Sequence, residues 1–276
     1  MNIMLMILMQ SLAAAIVSGA LCGYIGVYLK RLRLITLGFA VAHGAIAGAS
    51  IAFMLGVSME MIAFPFGIAS AVLIEILHRR FGVERDLASM FVFSMSSAIA
   101  IVAIYLTPTI LLTSDVASVI LWGSILSMTR ERIVFLSIIL LSVYLYTWAF
   151  RLELNSLLFD SKLAEAEGVN IELHTIFLVT ITALTITILI RFIGGLLLFS
   201  LVYSPAIAAT TITHKKQTLI SSIIGSLSGG IGVIISFHYD LPIGSTITLT
   251  VCTITILAVI ISFIIDRLKL KNLYRA

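Results

Sequence analysis

His43 is an imidazole set in Leu34–Met59, a run without Lys, Arg, Asp or Glu. An ionisable ring inside so apolar a segment is costly and usually has a function. A neutral imidazole can ligate a transition metal through one ring nitrogen. The competing reading is a satisfied histidine that bonds a neighbouring helix. One turn earlier stands Phe39, not a carboxylate, so this helix carries no i,i+4 metal pair. A second candidate is Pro205 within LLLFSLVYSPAIAA, with Ser200, Tyr203 and Ser204 beside it. Proline inside a helix frees a carbonyl and bends the axis. In a channel wall this makes a kinked polar lining; in a plain bundle it is only a kink.

The third candidate is FDSKLAEAEGVN, Phe159 to Asn170, the long polar interruption of an otherwise apolar chain. It reads as a short helix on which a partner protein can push, or as a solvated loop. Catalysis has no signature here. The sequence lacks a Walker A run, a GxSxG and an HExxH, so energy from a nucleotide must come from another chain. Cys22 and Cys252 sit inside apolar runs without metal-ligand spacing and read as packing residues.

The elements that must position these residues follow from composition. The chain is 61% hydrophobic and 11% charged, against about 25% charged in a soluble domain. Charges are bunched, and charge-free runs recur at Ile3–Leu29, Leu34–Met59, Leu87–Ser114, Ile133–Phe150, His174–Ile190, Phe192–His214, Gln217–Tyr239 and Leu241–Ile265. Roughly 20 apolar residues cross a bilayer, and a backbone without water must satisfy itself as a helix. The expected fold is an all-α polytopic membrane protein in a single domain over residues 1–276. The net charge of +4 sets topology in short loops and does not imply nucleic acid.

Parity and basic loops predict about nine spans, near Ile3–Leu29, Ile35–Gly56, Met61–Leu77, Ala88–Leu106, Ile133–Phe150, Leu173–Ile190, Leu196–Thr211, Leu219–Phe237 and Gly244–Ile265. The first lacks a charged leader and a cleavage site and reads as a retained helix. Val116–Ser127 is too short to cross and is expected to be a re-entrant or surface helix on the outer side. Arg130, Glu131 and Arg132 then fall in an outer loop. The N-terminus is expected outside, the C-terminus inside, and the polar stretch, taken with its flanks as about 156–171, in the cytoplasm. Gly194 and Gly195 mark a tight outer turn.

Several stretches, in order, resemble the membrane subunit of ABC importers for divalent metals, the zinc, manganese and iron permease family. ITLGFAVAHGAIAGASIAFMLG (Ile35–Gly56) is similar to its helix with an Asp-x-x-x-His-Ala pattern. DVASVILWGSILSMTRERI (Asp115–Ile133) resembles its outer segment, and FDSKLAEAEGVN its coupling helix. IGGLLLFSLVYSPAIAA resembles its proline-bearing helix, and HYDLPIGSTITL the start of its final helix.

The resemblance implies a permease subunit that is not itself an enzyme, in a fold like that of the vitamin B12 permease. Two copies would form a homodimer with a path at their interface. Separate ABC ATPase subunits would bind ATP, and an extracytoplasmic solute-binding protein would deliver the cargo. It places His43, Tyr203, Ser204 and Pro205 along the path. It places Phe159, Asp160, Ala164, Glu165 and Gly168 in the coupling contact. No stably bound cofactor is implied, only a transported divalent metal ion. Phe39 stands where the family carries its Asp, which leaves a metal-chelate or cobalamin-type cargo as the alternative. An ion-gradient carrier is a further rival, but Glu75, near a span end, is the one acid embedded in a run.

Overall fold

The computed structural model describes residues 3–32, 34–107, 125–213 and 215–273. Regular structure among them is helical: α1 (Ile3–Arg31), α2 (Ile35–Leu55), α3 (Met59–Phe81), α4 (Arg85–Leu106), α5 (Arg130–Ala149), α6 (Arg151–Phe159) and α7 (Ser161–Ala166). Then follow α8 (Ile171–Ile190) and α9 (Phe192–Ile212), α10 (Gln217–Tyr239) and α11 (Ile243–Leu273). Among the described residues, nine of these are long and apolar enough to cross a membrane, matching the expected number. Helices α8 and α9 run on through Gly194, whose φ of 76° and ψ of 161° break the helix. That conformation is open to glycine and strained for other residues, and it falls where a turn is expected.

Three boundaries differ from expectation. His78, Arg79 and Arg80 lie inside α3, and Arg85 and Asp86 inside the first turn of α4. Long basic side chains can reach water while their backbone stays helical, so charge does not end these helices. Arg130, Glu131 and Arg132 likewise belong to the start of α5 and not to a loop. The expected re-entrant helix at 116–127 falls mostly outside the described residues, of which Ile125–Ser127 form a 3-10 turn.

The chain divides into two compact units. The first comprises Met1–Tyr28, Ile125–Leu136 and Leu196–Ala276. Within it α1 and α10 approach so closely that a methyl on Gly229 would fall 2.6 Å from the Ala15 carbonyl oxygen. Ser221, Ser222 and Ser226 of α10 donate to the carbonyls of Gly23, Ala20 and Ile16 at 2.6, 3.0 and 3.2 Å. Small residues permit this approach and hydroxyls hold it, as is usual where lipid removes the hydrophobic drive between helices. Helix α11 lies along α9, with Ser200 Oγ 3.2 Å from Thr248 Oγ1 and Ser262 donating to the Thr211 carbonyl at 2.9 Å.

The second unit comprises Leu29–Ser124 and Ser137–Gly195. Here α2 packs along both α3 and α4. Gly48 meets α3 so tightly that a methyl would lie 2.6 Å from the Ile62 oxygen and 2.8 Å from Ala63 Cα. Pro65 stands inside α3 and leaves the Met61 carbonyl without its helical donor. Helix α5 meets α8 through Tyr146, whose ring stacks on Phe177 with centroids 3.6 Å apart.

Candidate functional site

His43 lies on α2 in the second unit, half-buried. Its Nδ1 is 3.0 Å from the Phe39 carbonyl oxygen. A carbonyl only accepts, so Nδ1 carries the proton, and in the neutral ring the lone pair belongs to Nε2. The ring also packs edge-on against Phe93 of α4, centroids 4.3 Å apart. The hydrogen bond thus runs to its own helix, not to a neighbouring one as expected of a merely satisfied histidine. Thr36, Phe39, His43 and Ile46 are all less covered than the positions between them. Their spacing of three or four residues puts them on one stripe of α2. Phe39 therefore shares the face of His43 but offers it a backbone oxygen in place of a carboxylate.

Tyr203, Ser204 and Pro205 lie on α9 in the first unit. Pro205 is buried and lacks the N–H that would bond the Leu201 carbonyl. The Ser204 carbonyl accepts from Thr255 Oγ1 of α11 at 3.0 Å, and Ser204 Oγ lies 3.9 Å from Cys252 Sγ. The Tyr203 ring lies parallel to Phe199 one turn away, centroids 6.2 Å apart. Beside Pro205 thus stand the hydroxyls of Ser204 and Thr255 and the free thiol of Cys252. Among the described residues no three His, Cys, Asp or Glu side chains gather as a metal site.

The polar stretch is built from caps. Asp160 is extended, with φ −154° and ψ 118°, and separates α6 from α7. Its Oδ1 accepts from the backbone N–H groups of Lys162 and Leu163 at 2.8 and 3.1 Å, the standard N-terminal cap. Gly168 takes φ +84°. The Val169 N–H reaches the Ala164 carbonyl and the Gly168 N–H the Glu165 carbonyl, each at 3.0 Å, which is a Schellman closure. Asn170 Oδ1 then accepts from Leu173 N at 3.0 Å and opens α8. The single helix expected for this stretch is therefore a short helix, α7, with Phe159 belonging to α6 before the break. Ala164 is fully buried, whereas Phe159 is 85% and Leu163 48% exposed. Phe159 and Leu163 are thus exposed apolar side chains on an otherwise charged turn.

One group escaped the sequence reading as a site. Glu75 of α3 accepts from Arg79 Nε at 2.9 Å and from Arg85 Nε of α4 at 3.2 Å. Arg79 Nη1 also bonds Glu172 in the first turn of α8. Nearby, Thr36 Oγ1 of α2 donates to Asp86 Oδ1 of α4 at 2.6 Å.

A family model described as the ABC 3 transport family matches residues 4–262. The manganese transport system membrane protein MntC of Listeria monocytogenes is 27% identical over 254 residues, covering 91% of this chain and 89% of the relative. The manganese import system permease protein ScaB of Streptococcus gordonii is 26% identical over 249 residues, covering 88% and 87%. Among solved structures, PsaBC from Streptococcus pneumoniae in complex with Fab superposes with a TM-score of 0.77 at 24% identity, covering 91% of this chain and 90% of that one. That likeness is one of fold.

Proposed function

The chain belongs to the ABC 3 transport family, and from that premise we propose that it is the permease subunit of an ATP-driven importer of a divalent metal ion, manganese first among the candidates. The observation that carries this reading is the family match across nearly the whole chain together with relatives named for manganese transport along nine-tenths of it. It is a multi-pass membrane protein and a permease component, not an enzyme. ATP is hydrolysed on separate ATPase subunits, and a solute-binding protein delivers the ion from outside. The path forms with a second copy of the chain. The N-terminus faces out and the C-terminus faces the cytoplasm.

The coupling contact is the capped turn around Asp160–Gly168. The exposed Phe159 and Leu163 fit a pocket on a soluble partner, and the caps at both ends make α7 a stiff body able to transmit a push. ATPase closure then tilts the membrane helices between outward and inward states. Two elements are assigned to the path, each within its own unit: His43, which offers the Nε2 lone pair, and the segment around Pro205, with the oxygens of Tyr203 and Ser204. With Phe39 in place of an acid, the ion meets a nitrogen without a hard oxygen one turn away. That suits brief contact during passage better than tight capture.

The test is reconstitution of this chain with its ATPase partner in proteoliposomes. Uptake of radiolabelled manganese, zinc or iron that requires both ATP and the binding protein is expected. Uptake driven by a proton gradient without an ATPase would overturn the reading.

A further inference from the structure

We propose that Arg79 is the positioning residue that carries the movement of the polar stretch into the helix bearing His43. The proposal rests on the import reading above and adds the route by which the push travels. All the residues involved lie in the second unit.

The route starts at Glu172, two residues past the Asn170 cap that closes the stretch. Glu172 bonds Arg79 of α3, although 93 residues separate them in sequence. Arg79 is forked: its Nε holds Glu75 Oε2 at 2.9 Å while its Nη1 holds Glu172. Glu75, with only 11% of its side chain exposed, gives its other oxygen to Arg85 of α4 at 3.2 Å. Next to Arg85, Asp86 accepts from Thr36 at 2.6 Å. Thr36 lies two turns before His43, on the same stripe of α2.

A buried carboxylate held by two guanidiniums is expensive to leave half-paired. Helices joined through Glu75 therefore move together or not at all. A planar fork suits this task, since a lysine presents one point charge and cannot hold two carboxylates in fixed directions. A cleft of about 240 Å³ between α3 and α8, lined by Ile68, Val72 and Ile176 as well as Arg79 and Glu172, leaves the ion pair as a polar tie at this level, while Gly67 and Thr187 bring the same two helices into close contact further along. Displacement of α8 by the stretch then passes through the ion pairs.

The experiment uses the full complex with its ATPase in proteoliposomes and reads metal ions moved per ATP hydrolysed. Arg79→Gln and Glu172→Gln are each expected to lower that ratio roughly fivefold or more, with ATP still hydrolysed. The double variant should be no worse than the worse single, because both break one link. Arg79→Lys should recover only part of the ratio. Arg80→Gln, the neighbouring charge outside the route, should keep it. Glu172 has a side chain 67% exposed, so its variant is expected to fold even if Arg79→Gln does not. Normal ratios in the Arg79 and Glu172 variants, losses that add in the double, or an equal loss in Arg80→Gln would each overturn the proposal. A wild-type complex without ATP-driven uptake would instead remove the import reading beneath it.

Discussion

The Tyr146 hydroxyl lies 2.6 Å from His174 Nδ1, and this bond ties α5, which leads into the polar stretch, to α8, which leaves it. His174 is 3% exposed, and Phe150 covers it edge-on at 5.3 Å. The two legs of the stretch therefore form one braced hairpin. Tyr146→Phe keeps the stacking on Phe177 and deletes only the bond. It is expected to cost about 1 kcal/mol, seen as a lower melting temperature in detergent, with a fall in metal moved per ATP. An unchanged melting curve would show that the bond contributes nothing.

Gly168 offers a sharper test of the stretch itself. At φ +84° a β-branched residue is strained, by about 1–2 kcal/mol or more. Nothing lies within 4 Å of a methyl placed there, so any effect of substitution is conformational and not steric. Gly168→Val is expected to uncouple ATP hydrolysis from uptake, whereas Gly168→Asn, which tolerates the left-handed region, should keep most coupling. Equal coupling in both variants would mean that the Schellman closure is irrelevant to transmission.

The proposed path is tested by His43→Ala, which should raise the KM for manganese roughly tenfold in the reconstituted uptake assay. Phe39→Asp, on the same face and one turn earlier, should lower the KM by adding the hard oxygen that this helix lacks. Unchanged uptake in His43→Ala would return the ring to a packing role against Phe93.

Gly48→Leu addresses the packing beneath these sites. The Ile62 carbonyl and the Ala63 backbone occupy the space its Cβ would need, so α2 must move off α3. A loss of about 1–3 kcal/mol is expected, read as a fall in melting temperature. Stability equal to wild type would contradict the close approach.

The spans were legible because hydrocarbon thickness imposes their length, and runs such as Phe192–His214 meet it without a charge. The helix ends were less so. Arg79, Arg85 and Arg130 look like loop residues by charge, yet their backbone stays helical. At the polar stretch Asp160 and Gly168 were legible as types, since an acid and a glycine are natural terminators. The break that assigns Phe159 to α6 is made by the Asp160 cap, a local signal, but an acid inside a run of mixed charges does not by itself say which residue will cap. The Glu172–Arg79 contact was invisible for a different reason: its partners are 93 residues apart, and charges near span ends look alike until the helices are packed.

The serine bonds from α10 onto α1 bear on how the chain is made. Gly23 receives its partner hydroxyl from a residue 198 positions later. At about 5–20 residues per second, α1 emerges from the ribosome and waits roughly 10–40 s before its seam is covered. Its Gly, Ala and Ser seam suits that interval, because its backbone groups are already satisfied within the helix and Ile3–Leu29 carries no charge. The same composition that later allows close packing lets the first span wait in the bilayer alone.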